Sequence, residues 1–169
     1  MKLIGCLLLL AACYDFGRRK AQGYAKRLYW LEVWWQKLMF LQSEIRYAKT
    51  PLPEIFQMLG EEGEEDNPVN DFFAQLSLMM KDGDFRLERA WRMKVKELQV
   101  QIPIDYERTC LFGQGMTKVE GTKQVEYMQS YLEQLQQSIR TGRENVKQQQ
   151  KVVQTVSLCV GALLVLVVL

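Results

Sequence analysis

The sequence predicts an all-α protein, an antiparallel helical bundle of about six helices flanked by N- and C-terminal transmembrane helices. Three observations carry this expectation. Both ends of the chain are apolar: Leu3–Ala12 is an unbroken hydrophobic run, and Val152–Leu169 holds no charge. Between them, apolar residues recur at three- and four-residue steps, the period of one helix face. No window shows period-two alternation bounded by hairpin turns, so no strand is expected.

The expected organisation is an N-terminal membrane anchor at 1–17, a helical-bundle domain at 18–151 and a C-terminal transmembrane helix at 152–169. The last segment has 18 residues, about 27 Å as a helix against a bilayer core of roughly 30 Å. The first is shorter and spans only by running on through Gly17 with tilt or local thinning of the bilayer. Arg18, Arg19 and Lys20 follow the first run while Lys2 alone precedes it. The positive-inside rule then places the central domain in the cytoplasm, and Lys147 and Lys151 before the last segment agree. Leu10-Ala11-Ala12-Cys13 also reads like the lipid-attachment box of a secreted lipoprotein. A lipid-anchored extracytoplasmic helical binding protein is therefore the alternative, although a cleaved signal normally carries its positive charge ahead of the apolar run.

From Gly17 the first helical stretch shows Leu28, Leu31, Trp35, Leu38, Leu41 and Ile45 on one face. Thr50-Pro51-Leu52-Pro53 stops it, because proline disfavours helix in the residue before it. Pro53 then opens a second helix in which Ile55, Phe56 and Leu59 form a short apolar face. Glu61–Asp66 is an acidic, glycine-broken loop. Pro68–Met80 resumes helix with Phe72, Phe73, Leu76 and Met80 pointing one way, and Asp84 is a candidate cap for the next. There Leu87, Trp91, Val95 and Leu98 share a face. Ile102-Pro103-Ile104-Asp105 restarts the chain, and Tyr106–Phe112 is a short helix ending at Gly113. Val125, Met128, Leu132, Leu135 and Ile139 alternate by three and four in a last helix that feeds past Gly142 and Val146 into the C-terminal segment.

Composition argues against several function classes. A net charge of +2 without a dense Lys/Arg tract gives no reason to expect nucleic acid. There is no histidine, the commonest general base and metal ligand, so Cys110 has no imidazole to activate it. Cys6, Cys13, Cys110 and Cys159 form no CxxC pair. Phe112-Gly113-Gln114-Gly115 lacks the third glycine and the Gly-Lys-Ser/Thr ending of a phosphate loop and reads as a helix-to-helix turn. Glu61–Asp66 lacks the ligand spacing of a calcium hand. No catalytic residue, cofactor, metal or small-molecule substrate is expected. The candidate sites are partner surfaces. Arg86, Arg89, Arg92 and Lys96 gather opposite the apolar face of their helix, where four cations can steer an acidic partner or lipid headgroups. Trp30 and Trp34 fall to the sides of the core face set by Trp35 and are candidates for a partner groove.

These landmarks resemble, in order, the stage III sporulation protein AB family of endospore-forming bacteria. The matching residues begin with Leu41 and Glu44-Ile45-Arg46-Tyr47, then Thr50-Pro51-Leu52-Pro53-Glu54, Phe72-Phe73 and Ala90-Trp91. Phe112-Gly113, Gln124 and the glutamine- and lysine-bearing last helix complete the pattern. Met116 and Thr117 stand where the family shows a leucine-glycine pair, and Glu120 where it shows an aspartate. The resemblance implies a non-enzymatic platform subunit of the transenvelope complex joining mother cell and forespore, sited in the mother-cell membrane (the outer forespore membrane). It also implies a helical domain similar to those of type II secretion platform proteins. The partners it implies are the complex's ATPase, a stage III sporulation protein AA-like protein, and other membrane subunits.

Overall fold

The computed structural model describes residues 2–48, 50–64, 66–81, 85–117 and 122–168, with side chains described chiefly between 22 and 148. Among these residues all regular structure is helical: α1 (Lys2–Ser43), a π-helical turn (Glu44–Ala48), α2 (Leu52–Glu61), α3 (Pro68–Met79), α4 (Leu87–Gln101), α5 (Tyr106–Thr117) and α6 (Thr122–Val168). The six α-helices match the expected all-helical bundle, and no strand occurs among the described residues.

Two compact units divide the chain, residues 27–139 as one and residues 1–26 with 140–169 as the other. These limits follow packing, whereas the boundaries expected at 17 and 151 follow hydropathy. The backbone of the second unit is helical from Lys2 and up to Val168. Among the described residues no helix is long and apolar enough to cross a membrane. Most side chains of the expected anchors at 1–17 and 152–169 lie outside that description.

Within 27–139, each helix starts where local chemistry allows. Pro51 precedes α2, whose first turn holds a proline and Glu54, an acid that favours the positive end of the helix dipole. Asn67 caps α3 by accepting from the Val69 amide at 2.9 Å, with Pro68 in the first turn. Asp105 caps α5 in the same way, accepting from the Arg108 amide at 3.0 Å. α4 has Arg86 at its cap position and no side-chain cap. The expected cap, Asp84, lies outside the described residues.

α2 packs on α3, α3 on α4 and α4 on α5, and the buried faces are largely those the periodicity selects. Ile55, Phe56 and Leu59 of α2, Phe72, Phe73 and Leu76 of α3, and Trp91, Val95 and Leu98 of α4 are all buried. In α6, Met128, Leu132, Leu135 and Ile139 are buried together with Tyr131, while the Val125 side chain lies outside the description. The centre of this core is aromatic. Trp34 meets Phe72 edge-on at 5.0 Å between ring centroids, and Trp91 meets Phe72 edge-on at 4.9 Å. Such tilted and edge-on pairs add about 0.5–1.5 kcal/mol each beyond the area they bury.

The structure corrects two expectations. The first concerns α1: Trp34, not Trp35, is the fully enclosed tryptophan, in register with the buried Leu31, Leu38 and Leu41. Trp35 sits at the edge of that face, where its indole N–H donates to the Leu132 carbonyl at 3.1 Å. The second is Gly113, which does not end α5. The helix runs through Gly113 and Gly115 to Thr117, and this excludes both a phosphate loop and a turn at that place. Gly113 is a contact glycine: a Cβ there would lie 2.4 Å from Cδ1 of Trp91, well inside van der Waals distance.

Candidate functional site

The basic surface comes from α4 alone. Leu87, Ala90, Trp91, Val95 and Leu98 turn inward, so the helical repeat carries Arg89, Arg92 and Lys96 outward, with Arg86 at the cap beside them. All four are exposed. Arg92 reaches Glu88 at 3.7 Å across one turn, with both side chains about half exposed (46% and 58%), a pairing worth a few tenths of a kcal/mol. Gln114 of α5 donates to the same Glu88 carboxylate at 2.9 Å.

The aromatic candidates separate. Trp34 is completely buried among Phe72, Phe73 and Trp91, which removes it from any docking surface. A tryptophan already enclosed on all sides has no face to offer a partner. Trp30 is half-buried and packs on the core edge. The structure therefore does not bring the two tryptophans and the basic residues of α4 into one patch.

A second constellation escaped sequence reasoning. Lys37, one turn after Trp34, is buried, yet its ammonium reaches two main-chain carbonyls at the end of α2. Lys37 Nζ donates to the Leu59 carbonyl and, at 2.8 Å, to the Glu62 carbonyl. A cation there satisfies carbonyls that the end of a helix leaves unpaired, and it meets the negative end of the α2 dipole. Burial pushes the Lys37 pKa down, and the Glu62 carboxylate partly restores it. The signal was available: Lys37 falls between Trp34, Leu38 and Leu41, inside the apolar stripe rather than opposite it.

Around Lys37 lies a cavity of about 370 Å³, walled by Tyr29, Val33 and Phe40 of α1 and by Glu62, Gly63 and Glu64 of the α2–α3 loop. Asn70 of α3 also lines it; its Nδ2 donates to the Glu64 carbonyl at 2.9 Å, while its Oδ1 has no hydrogen-bond partner. Gly63 has φ +116°, a conformation only glycine adopts without strain, and it lets the loop close over Asn70.

Cys110 is buried beside Tyr106, and burial holds its thiol above the ordinary range, so it stays protonated at neutral pH. Tyr131, which shares a 2.5 Å hydrogen bond with Thr109 Oγ1, is pushed up to about 12 by burial. These groups serve the core. Trp91 Nε1 joins them by donating to the Thr109 carbonyl at 2.8 Å.

An all-helical domain with an exposed cationic helix face, set between apolar chain ends, defines a helical protein by class. The chain belongs to a sporulation family, described as Stage III sporulation protein AB (spore_III_AB), whose sequence model matches residues 2–169. It is similar to the stage III sporulation protein AB of Bacillus subtilis (strain 168), with 22% identity over 172 residues that cover 100% of this chain and 99% of that protein. No solved structure matches it. The family is one of sporulation proteins and is not a known enzyme family.

Proposed function

We propose that this protein is a non-enzymatic platform subunit of the sporulation transenvelope complex, held at the mother-cell membrane with its helical domain in the cytoplasm, where it docks the complex's ATPase. The observation that carries the docking step is the exposed cationic face of α4: Arg86, Arg89, Arg92 and Lys96 lie outward while the opposite side of the helix is sealed in the core. Charge can be reversed there without disturbing packing. The stage III sporulation protein AA-like ATPase is the proposed occupant, meeting these cations with acidic side chains. Membrane attachment rests on the uncharged Val152–Leu169 segment and on the Leu3–Ala12 run with Arg18, Arg19 and Lys20 behind it.

Co-purification of the ATPase with tagged protein from sporulating cells tests the docking. Arg89→Glu with Arg92→Glu should lower recovery at least tenfold while the chain accumulates normally. Undiminished recovery would sink the α4 assignment. The Leu10-Ala11-Ala12-Cys13 run supports a second reading, a lipid-anchored extracytoplasmic binding protein. Cys13→Ala separates the two: loss of a processed, lipidated species favours the lipoprotein, and unchanged mobility favours the uncleaved anchor.

A further inference from the structure

We propose that the groove between α1 and the α2–α3 loop is a second docking site, distinct from the α4 face, and that it takes an amphipathic helix of a partner protein bearing lysine or arginine along one edge. Three independent features point to this occupant.

The first is shape. Tyr29, Val33, Gln36 and Phe40 stand at positions i, i+4, i+7 and i+11 of α1, so they form one continuous wall. Tyr29 is 43% and Phe40 37% exposed, large aromatic areas left facing water. The wall is about 16 Å long, three turns of a helix, and beside it lies the 370 Å³ cavity. Apolar anchors at i, i+4 and i+7 of an incoming helix fit such a groove.

The second feature is Asn70. It is 6% exposed, lines the cavity, and keeps a bare carbonyl oxygen. A buried acceptor without a donor is costly in a folded protein, and because the Gly63 turn covers this oxygen, a donor on an incoming side chain relieves that cost only by shifting the turn as it binds. Lys37 shares the floor, but its ammonium is held by the Leu59 and Glu62 carbonyls and it would repel a cation placed directly over it. The floor therefore suits a neutral N–H or O–H.

The third is charge at the rim. Glu62 and Glu64 line the cavity, are exposed and enter no salt bridge among the described residues. An acidic rim beside an apolar wall selects a helix whose polar edge is basic and repels one that is acidic. α4 has that chemistry with its apolar face buried in its own core, while α6 also sets exposed Val152 and Val156 beside exposed Lys147 and Lys151. The rim charge selects a basic-edged helix, which we assign to a different protein; an adduct to α6 of a second copy is the competing outcome that the test distinguishes.

The experiment uses the full chain in sporulating cells with Gln36, which is exposed and lines the groove, replaced by the photo-cross-linker p-benzoylphenylalanine. After irradiation, mass spectrometry maps the attached segment. The expected adduct is a partner-protein segment with apolar residues at helical spacing and Lys/Arg beside them. Its yield should fall about tenfold when Glu62→Gln and Glu64→Lys are added, and return when the mapped basic residue is changed to Glu. Glu64→Lys alone, at an exposed side chain, gives the same readout with no risk to Lys37. No adduct, an adduct to lipid, to an acidic segment or to a second copy, or a yield indifferent to these charges would overturn the proposal.

Discussion

Trp34 and Lys37 lie one turn apart on α1 and are both buried, yet they are held by opposite means. Trp34 is surrounded by rings, and its neighbours Phe72, Phe73 and Trp91 contribute through shape and excluded water. Lys37 is surrounded by carbonyls, and its place depends on hydrogen bonds to the end of α2. The first kind of burial is strong, and the Trp34, Phe72, Phe73 and Trp91 rings that make it carry no titrating group. The second is weaker, because the desolvation of an ammonium offsets much of what its bonds contribute. One helix thus carries a rigid core and, beside it, a polar corner poised at a surface groove.

The aromatic side of this comparison should break hardest. Trp91→Ala leaves a large void against Gly113, Phe72 and Phe112, and a loss of about 3–5 kcal/mol is expected in denaturant midpoints followed by tryptophan emission. A loss below about 1 kcal/mol would mean the rings do not act as a unit. Tyr131 tests the same core by pH. Its folded phenol ionises near 12 and the unfolded one near 10, so the native state keeps the proton across that window. Stability should fall by about 1.4 kcal/mol per unit as pH rises from 10 to 12, and Tyr131→Phe should flatten that fall. Equal slopes in the two proteins would contradict the burial of the phenol.

Gly113→Ala should cost about 1–3 kcal/mol through its clash with the Trp91 ring, even though alanine favours helix by about 1 kcal/mol over glycine. A stabilised variant would show that the ring can retreat. The polar corner yields least. Lys37→Met should lose about 1–2 kcal/mol by stranding the Leu59 carbonyl while sparing the desolvation of an ammonium. Because the folded Lys37 releases its proton before the unfolded one does, the parent gains stability as pH rises toward 10.5. Lys37→Met should lack that gain.

Much of this was legible in the sequence because α2, α3, α4 and α6 each present one clean apolar stripe. Ile55 with Leu59, Phe72 with Leu76, Trp91 with Val95, and Leu132 with Leu135 declare their faces by spacing alone. α1 was harder. Three tryptophans and several leucines cover more than one face, so spacing could not choose between Trp34 and Trp35; contact with Phe72 and Phe73, distant in sequence, made the choice. Lys37 went unseen because a lysine is normally assigned to solvent, and only the carbonyl end of another helix makes its burial tolerable. Gly113 misled for a related reason. Glycine near the end of an apolar pattern signals a stop, but here its missing side chain is used to admit the Trp91 ring. In the candidate surfaces, the basic face of α4 could be read from charge and period, while the Lys37 groove needed α1, α2 and α3 assembled.

The π-helical turn at Glu44–Ala48, braced by the 2.6 Å hydrogen bond from Thr50 Oγ1 to Glu44 Oε2, has a consequence for chain length. A π turn stores one residue more than an α turn between the same hydrogen-bonded ends. Removing a single residue from 44–48 would convert it to ordinary helix and leave Thr50-Pro51 in step for the entry to α2. The same deletion between Leu31 and Leu41 would rotate every later side chain of α1 by about 100° and turn its buried stripe toward water. Among the described residues, Glu44-Ile45-Arg46-Tyr47-Ala48 is therefore the segment where loss of one residue should disturb the fold least.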